Sequence, residues 1–312
     1  HVGRIGIRLR LPAPKLTPAV RSMLKRIIPA AVGAGVYQIS MLIDTIIASL
    51  LPAGSISYLF FADRVNQLPM GVVGVAIGTA LLPVISREVS AGDHAAAIDS
   101  QNRALEFSLF LAIPAAAALI VIPVPVISVL FERGAFGTAE TVATASALAV
   151  YATGLPAYIL VKGLTPGFFA REDTATPVKI GIFAVVLNLI LNLILMKPFL
   201  HIGIAAATSA SAWVNAILLA YILHRRHHLT PDSRLKSRLP RIILASVFMA
   251  GLLYAGMLGL DEFLAGSQGQ KITALVFLIV GGLTVYTHLA FRFRFADKED
   301  LRRALKLGKS DV

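Results

Sequence analysis

Eight stretches of this chain are apolar for long enough to cross a bilayer, whose hydrocarbon core of about 30 Å needs roughly 20 residues of helix. They cover approximately residues 27–51, 56–86, 107–131, 141–167, 178–197, 202–223, 240–260 and 272–291. The pattern predicts an all-α, polytopic membrane protein of eight transmembrane helices, because a helix satisfies its own backbone where lipid offers no partner. Pro69, Pro114, Pro123, Pro125 and Pro156 fall inside these runs and predict kinks. Gly71, Gly74 and Gly78 predict a face for close helix packing.

The second run contains an anomaly. "YLFFADRVNQLPMGVVGVAIGTALLPVIS" (58–86) is apolar almost throughout, yet Asp63 and Arg64 stand side by side near its start, with Asn66 and Gln67 close behind. An Arg, Lys or Asp at the centre of a spanning helix costs about 2.5 to 3.5 kcal/mol on insertion scales. Groups that costly face a partner or a cavity. Arg64 lies nine residues after Ser55, about 13 Å along a helix. It either snorkels to the interface or faces a cavity as a cation that meets an anionic substrate; the second reading is preferred. Asp63 points about 100° away from Arg64 and is not its helix-face partner. Asp63 and Gln67 join Arg64 in the candidate substrate-binding set. Lys162, in the fourth run, is a further member, although its position near the end of that run also suits snorkelling.

Basic residues set the orientation. Residues 1–26 hold seven Lys and Arg and no acid, and alternation from there puts 24 of the 29 basic residues on one side. Both chain ends are therefore expected in the cytoplasm, with the excess charge facing anionic lipid headgroups. The expected divisions are a basic segment at 1–26, a six-helix lobe at 27–226, and two further spans with a basic tail at 227–312. "SREVSAGDHAAAIDSQNRALEFSL" predicts an interfacial helix between spans, and Asp173 and Thr174 are candidate caps for a helix beginning near Thr176-Pro177.

Composition agrees. Apolar residues make up 56% of the chain and charged ones 15%, against about 25% in a soluble domain, and the mean hydropathy is +0.76. There is no Cys, which excludes disulfides and thiolate metal sites. The net charge of +12 does not predict nucleic-acid binding, because the basic clusters have no aromatic interleaving. No metalloprotease, serine-hydrolase or Walker motif occurs, so no enzyme is predicted. The chain begins at His1 without Met or a signal peptide and reads as a piece of something longer.

Counting depth along the spans brings out a second group. Asp44, Asn188, Asn192 and Thr208 all fall in the outer third, and Asn188 and Asn192 share a helix face at i and i+4. A carboxylate, two amide oxygens and a hydroxyl make a candidate hard-cation site, for an ion such as Na⁺. The bland alternative is that the two Asn hydrogen-bond neighbouring helices.

"YLFFADRVNQLPMGVVGVAIGTALLPVISR", "FERGAF" and "LTPGFFAREDTATPVKI" together resemble the MurJ/MviN lipid II flippases of the multidrug/oligosaccharidyl-lipid/polysaccharide exporter superfamily. The resemblance runs from about Ala31 to Arg226 and is weaker through the last two spans. It implies fourteen helices in two six-helix lobes plus two more, of which this chain would be helices seven to fourteen, with the N-terminal lobe missing. It also implies a bacterial inner-membrane protein whose partner is lipid II, the undecaprenyl-pyrophosphate-linked peptidoglycan precursor. Arg64 matches the arginine of the family's "ADR" stretch, a cavity cation. Asp44, Asn188 and Thr208 match a family sodium site, while Asn192 stands where a carboxylate can occur. The last two helices would offer a groove for a prenyl tail. The alternatives are a related exporter of drugs or polysaccharide-lipid intermediates, and a non-transporting scaffold for cell-wall synthesis.

Overall fold

The computed structural model describes residues 38–293 and Phe295, apart from the side chains at 75, 76, 78 and 79. The expected basic segment 1–26, the first part of the first apolar run, nearly all of the basic tail and the surroundings of Gly78 lie outside the described residues. Those described form helices α1 (Gln38–Ala48), α2 (Ser55–Ser90), α3 (His94–Val121), α4 (Pro123–Phe131), α5 (Thr138–Phe169), α6 (Ala175–Arg225), α7 (Ser233–Gly259), α8 (Asp261–Leu264) and α9 (Gln268–Arg292). Among them there is no strand, and the one isolated bridge joins Arg133 to Phe136. Five helices are long and apolar enough to cross a membrane: α3, α5, α6, α7 and α9.

The helices break in two places that bear on the expected spans. α6 is 51 residues, about 77 Å if straight, more than twice a bilayer core. It breaks at Leu200, whose φ of 51° lies in the left-handed region just after Pro198. The two arms fold back on each other: Asn188 Nδ2 donates to Thr208 Oγ1 at 3.2 Å, although twenty residues separate them. Gly203 makes this turn sterically possible, since a Cβ there would stand 2.2 Å from the Leu195 carbonyl oxygen. The second break divides the expected run 107–131 into α3 and α4 at Ile122 (φ −117°, ψ 43°). Pro123 then occupies a first-turn position, where the missing N–H costs nothing. The helices continue through Pro69, Pro114 and Pro156, so a ring inside a helix did not end it.

No separate interfacial helix lies between α2 and α3. α2 runs to Ser90, and Asp93 caps α3 by accepting from Ala96 N at 2.9 Å, so the mixed-charge segment forms the end of one long helix and the start of the next. The cap of α6 comes from Asp173, which accepts from the backbone and hydroxyl of Thr176; the Thr174 side chain makes no capping bond.

α5 is the hub. It packs against α2, α3, α4 and α6, and its most apolar window is 61% buried, against 22% to 33% in the other four apolar helices. Ser209 and Trp213 of α6 bond the carbonyls of Val150 and Thr153 on α5, at 2.9 Å each. α7 and α9 attach on the far side, through α3 and α4. At the end where the 91–93, 170–174 and 226–232 connections meet, Glu106 of α3 is 7% exposed and pairs with Arg103, Arg234 and Arg238. Arg103 also pairs with Asp232, and Asn102 Nδ2 donates to Thr230 O at 2.9 Å. At the opposite end Lys271 of α9 meets Glu132 at 3.0 Å, and Gln268 donates to Val129 O at 2.9 Å. The Ser128 hydroxyl, aided by Lys271, holds the Glu132 carboxyl below the usual carboxylate range against the opposing effect of burial. Between these clasps, Tyr286 donates to Phe110 O at 2.7 Å.

Removing one member of a buried ion pair strands its partners without counter-charge. Glu106→Ala removes the buried carboxylate that three guanidinium groups share, of which Arg103 keeps Asp232. It is expected to destabilise the full-length protein by on the order of 3 kcal/mol, read as a lowered melting temperature in detergent. Asp99→Ala, whose side chain is 67% exposed, serves as the control and should leave the melting temperature nearly unchanged.

Candidate functional site

α2 and α6 flank α5 and barely touch each other, so a space opens between them over the α5 surface. It is a cavity of about 1090 Å³, with α1 closing one side. The lining follows helical periodicity. On α2 it takes Ile56, Phe60, Asp63, Gln67 and Met70; on α5 Tyr151, Tyr158, Lys162, Thr165 and Phe169; on the second arm of α6 Thr208, Ser211, Asn215 and Leu219. The polar positions of the second apolar run therefore face this space, while Ala62 and Val65 from the same turns are buried in the core.

All four residues of the expected substrate-binding set line the cavity. Gln67 joins Asp63 to Arg64: its Nε2 donates to Asp63 Oδ2, and its Oε1 accepts from Arg64 Nη1 at 3.3 Å. Adjacent residues that cannot meet directly are thus bridged by a residue three or four positions on. The Arg64 guanidinium also lies 4.8 Å from the centre of the Phe60 ring, and the side chain is exposed to the cavity. Lys162 is half-buried, and among the described residues no acid or acceptor bonds its ammonium group. It is a cation on the cavity wall, unlike Arg64, which is already tied to a carboxylate through Gln67.

Gly74 departs from its expected role. A Cβ there would stand 2.5 Å from Lys162 Cδ, so the glycine makes room for the lysine stem rather than for a helix backbone. Gly71 has nothing within 4 Å of that position and lines the cavity.

The second group also assembles, at one end of the same space. Asn192 Nδ2 donates to Asp44 Oδ1 at 2.6 Å and to Asn188 Oδ1 at 3.1 Å, and Thr208 Oγ1 lies 3.2 Å from Asp44 Oδ2. Asn188 and Asn192 are 1% and 0% exposed, whereas Asp44 and Thr208 reach the cavity. Asp63 stands within electrostatic range of Asp44, so the two groups are neighbours. The donor set is all oxygen, and Asn192 Oδ1 is buried without a hydrogen-bond partner. An orphaned buried oxygen beside a carboxylate fits a hard cation. Both Asp44 oxygens already accept hydrogens from the protein, so an ion would have to displace amide N–H groups with amide oxygens.

The sequence reading did not select Asn215 or the Glu106 clasp. Asn215 follows Thr208 by seven residues, on the same helix face, and that periodicity was its signal. Glu106 had only Arg103, three residues before it on α3, because its other two partners come from 128 and 132 residues away.

A bundle of apolar helices flanking a large, charged cavity defines one lobe of a helical membrane transporter. The chain belongs to the lipid II flippase MurJ family, whose model matches residues 1–268. It is 42% identical over 311 residues to a probable lipid II flippase MurJ of Rhizobium meliloti (strain 1021), covering 99% of this chain and 58% of that protein. To the probable lipid II flippase MurJ of Vibrio cholerae serotype O1 it is 36% identical over 275 residues, covering 88% and 52%. A solved structure described as lipid II flippase MurJ in an inward closed conformation superposes with a TM-score of 0.72 at 26% identity, over 90% of this chain and 57% of that one. An outward-facing multidrug resistance transporter of the MATE family, at 22% identity and a TM-score of 0.57 over 91% and 67%, shares the fold alone. The chain spans a little over half the length of the relatives it matches. It is a multi-pass bacterial membrane protein.

The absence of Cys makes the cavity directly testable. Lys162→Cys, in a full-length protein cleared of any other cysteine, should react with a water-soluble thiol reagent. Adding Gly74→Leu, which fills the space beside it, should slow that labelling markedly.

Proposed function

We propose that this chain is the C-terminal lobe, with its two extra helices, of a lipid II flippase. The whole protein would move the undecaprenyl-pyrophosphate-linked peptidoglycan precursor across the bacterial inner membrane by alternating access. What carries this reading is the charge on the cavity wall: Arg64 and Lys162 face a space too costly to charge unless an anion uses it. A pyrophosphate is multiply anionic, and a guanidinium offers it charge-assisted, potentially bidentate hydrogen bonds. Asp63 and Gln67 hold the Arg64 head in place while the substrate is absent. The second lobe is needed because alternating access requires two bodies to rock against each other. Residues 227–312 supply the added pair, whose exposed apolar side chains, such as Leu244, Phe248, Phe277 and Leu283, suit a long prenyl tail. The distribution of basic residues supports both ends in the cytoplasm, against anionic headgroups.

The Asp44, Asn188, Asn192 and Thr208 group is the proposed cation site, with Na⁺ as the ion. A bound cation there would neutralise the Asp44 charge beside Asp63. No other cofactor, and no nucleic acid, belongs to this reading.

Arg64→Ala should inactivate the full-length flippase while leaving it inserted. Arg64→Lys, which keeps the charge but loses the planar fork, should retain partial activity. The check is complementation of a strain depleted of its own flippase, with membrane levels of each variant measured by blotting. Normal growth on Arg64→Ala at wild-type abundance would remove the substrate contact and favour the snorkelling role.

Na⁺ should raise the melting temperature of the purified full-length protein, and Asp44→Asn should abolish that rise. Asn192→Asp adds a second carboxylate and should shift the Na⁺ titration to lower concentration. A wild-type melting temperature indifferent to Na⁺ leaves the four residues a purely structural contact.

A further inference from the structure

Two amides on the cavity wall behave unlike the other buried amides of the lobe. Gln101, Asn102, Asn188 and Asn192 each donate at least one hydrogen bond to protein. Asn66 and Asn215 make no hydrogen bond through either end of the side chain among the described residues, and the Oδ1 of each is buried. Asn66 is 2% exposed overall. Both line the cavity, Asn66 from α2 and Asn215 from the second arm of α6, on either side of α5. Asn66 lies one turn beyond Asp63, and Asn215 one turn beyond Ser211.

A buried carboxamide that bonds nothing destabilises the fold compared with leucine of similar size, because its oxygen has lost water without a replacement. Asn66 is buried and Asn215 partly so, and their presence on one cavity needs a partner from outside the protein. That partner must bring hydrogens to Oδ1 and accept them from Nδ2, since both ends of each amide are open. Phosphate oxygens bring no hydrogens at neutral pH, so they satisfy only the Nδ2 end. A cation is drawn instead to the Asp44 carboxylate at the end of the cavity, because both amides here are neutral. Hydroxyl and acetamido N–H groups fit, and they are the surface of an N-acetylated sugar.

We infer that Asn66 and Asn215 form a carbohydrate subsite, taking hydroxyl or acetamido hydrogens from the sugar of the lipid-linked substrate. This rests on the flippase reading and extends it: Arg64 and Lys162 meet the pyrophosphate, and the two amides recognise what is attached to it. Sites built to hydrogen-bond a group discriminate strongly against ligands that lack it, because their own polar atoms are then left unpaired.

The test is equilibrium binding to the full-length protein in nanodiscs, with three probes: undecaprenyl pyrophosphate, its N-acetylglucosamine conjugate, and lipid II. Asn66→Leu and Asn215→Leu should each weaken binding of the two glycosylated probes roughly tenfold and leave undecaprenyl pyrophosphate unchanged. Arg64→Ala should weaken all three. Equal losses on all probes, or no loss on any, would overturn the subsite. So would a loss confined to lipid II, which would assign the amides to groups that the N-acetylglucosamine conjugate lacks. A wild type that binds undecaprenyl pyrophosphate no less tightly than the conjugates overturns the subsite but leaves the flippase reading intact. A wild type that binds none of the three overturns both. Melting curves verify folding of each variant, and the alanine substitution replaces leucine wherever leucine prevents assembly.

Discussion

Everything in this lobe depends on how expensive a charge or an open hydrogen-bonding group is inside a bilayer. Water cannot reach the hydrocarbon region to repair such a group, so each must find a protein partner or face an enclosed aqueous space. The polar side chains within the helices sort themselves accordingly. Glu106 and its three arginines close on one another at one end of the bundle. Asp44, Asn188, Asn192 and Thr208 close on one another in the membrane. Asp63, Arg64 and Gln67 are only half closed, since they join into a chain whose cationic end stays open to the cavity. Lys162 is left without a bonded partner among the described residues.

That ordering separates structure from use. Fully paired groups set the relative positions of helices: the clasps at both ends of the α7–α9 pair fix it to α3 and α4, so the pair and the lobe form one body. Asn66 and Asn215, whose side-chain oxygens are unpartnered, share with Lys162 and the open head of Arg64 a single surface formed by α2, α5 and α6. In a soluble protein open polar atoms are common on any surface and say little. In lipid they are costly, and their gathering on one wall is the best single indicator of where a polar ligand travels.

The same cost explains what the sequence alone could reveal. Apolar runs located the helices because length and hydropathy are imposed by the membrane itself. The breaks were less legible. Pro114 and Pro156 sit inside unbroken helices, the break at Ile122 falls just before Pro123 as that proline predicts, and Leu200, two residues after Pro198, marks the other interruption. At Leu200 the turn is held by tertiary contact, where Asn188 meets Thr208. The meeting of Asp44 with the two Asn and Thr208 could be read by counting depth, since helices of known direction carry a ruler of about 1.5 Å per residue. The bridge from Asp63 through Gln67 to Arg64 was open to helical-face reasoning too. Gly74 was misjudged because a missing side chain does not say whether a backbone or a lysine needs the space. The clasp at Glu106 joins residues more than a hundred positions apart, and no local pattern announces that.

The fold of α6 at Leu200 has a mechanical corollary. Asn188 and Asn192 precede the break and Thr208 and Asn215 follow it, so one helix supplies both jaws of the Asp44 group and one wall of the cavity. A positive φ costs a residue with a side chain energy, so the packing of the two arms is what holds Leu200 there. Any change in the angle between the arms would part Thr208 from Asn188 and shift Asn215 by the same rotation. One joint therefore sets both the spacing of the Asp44 group and the position of one cavity wall.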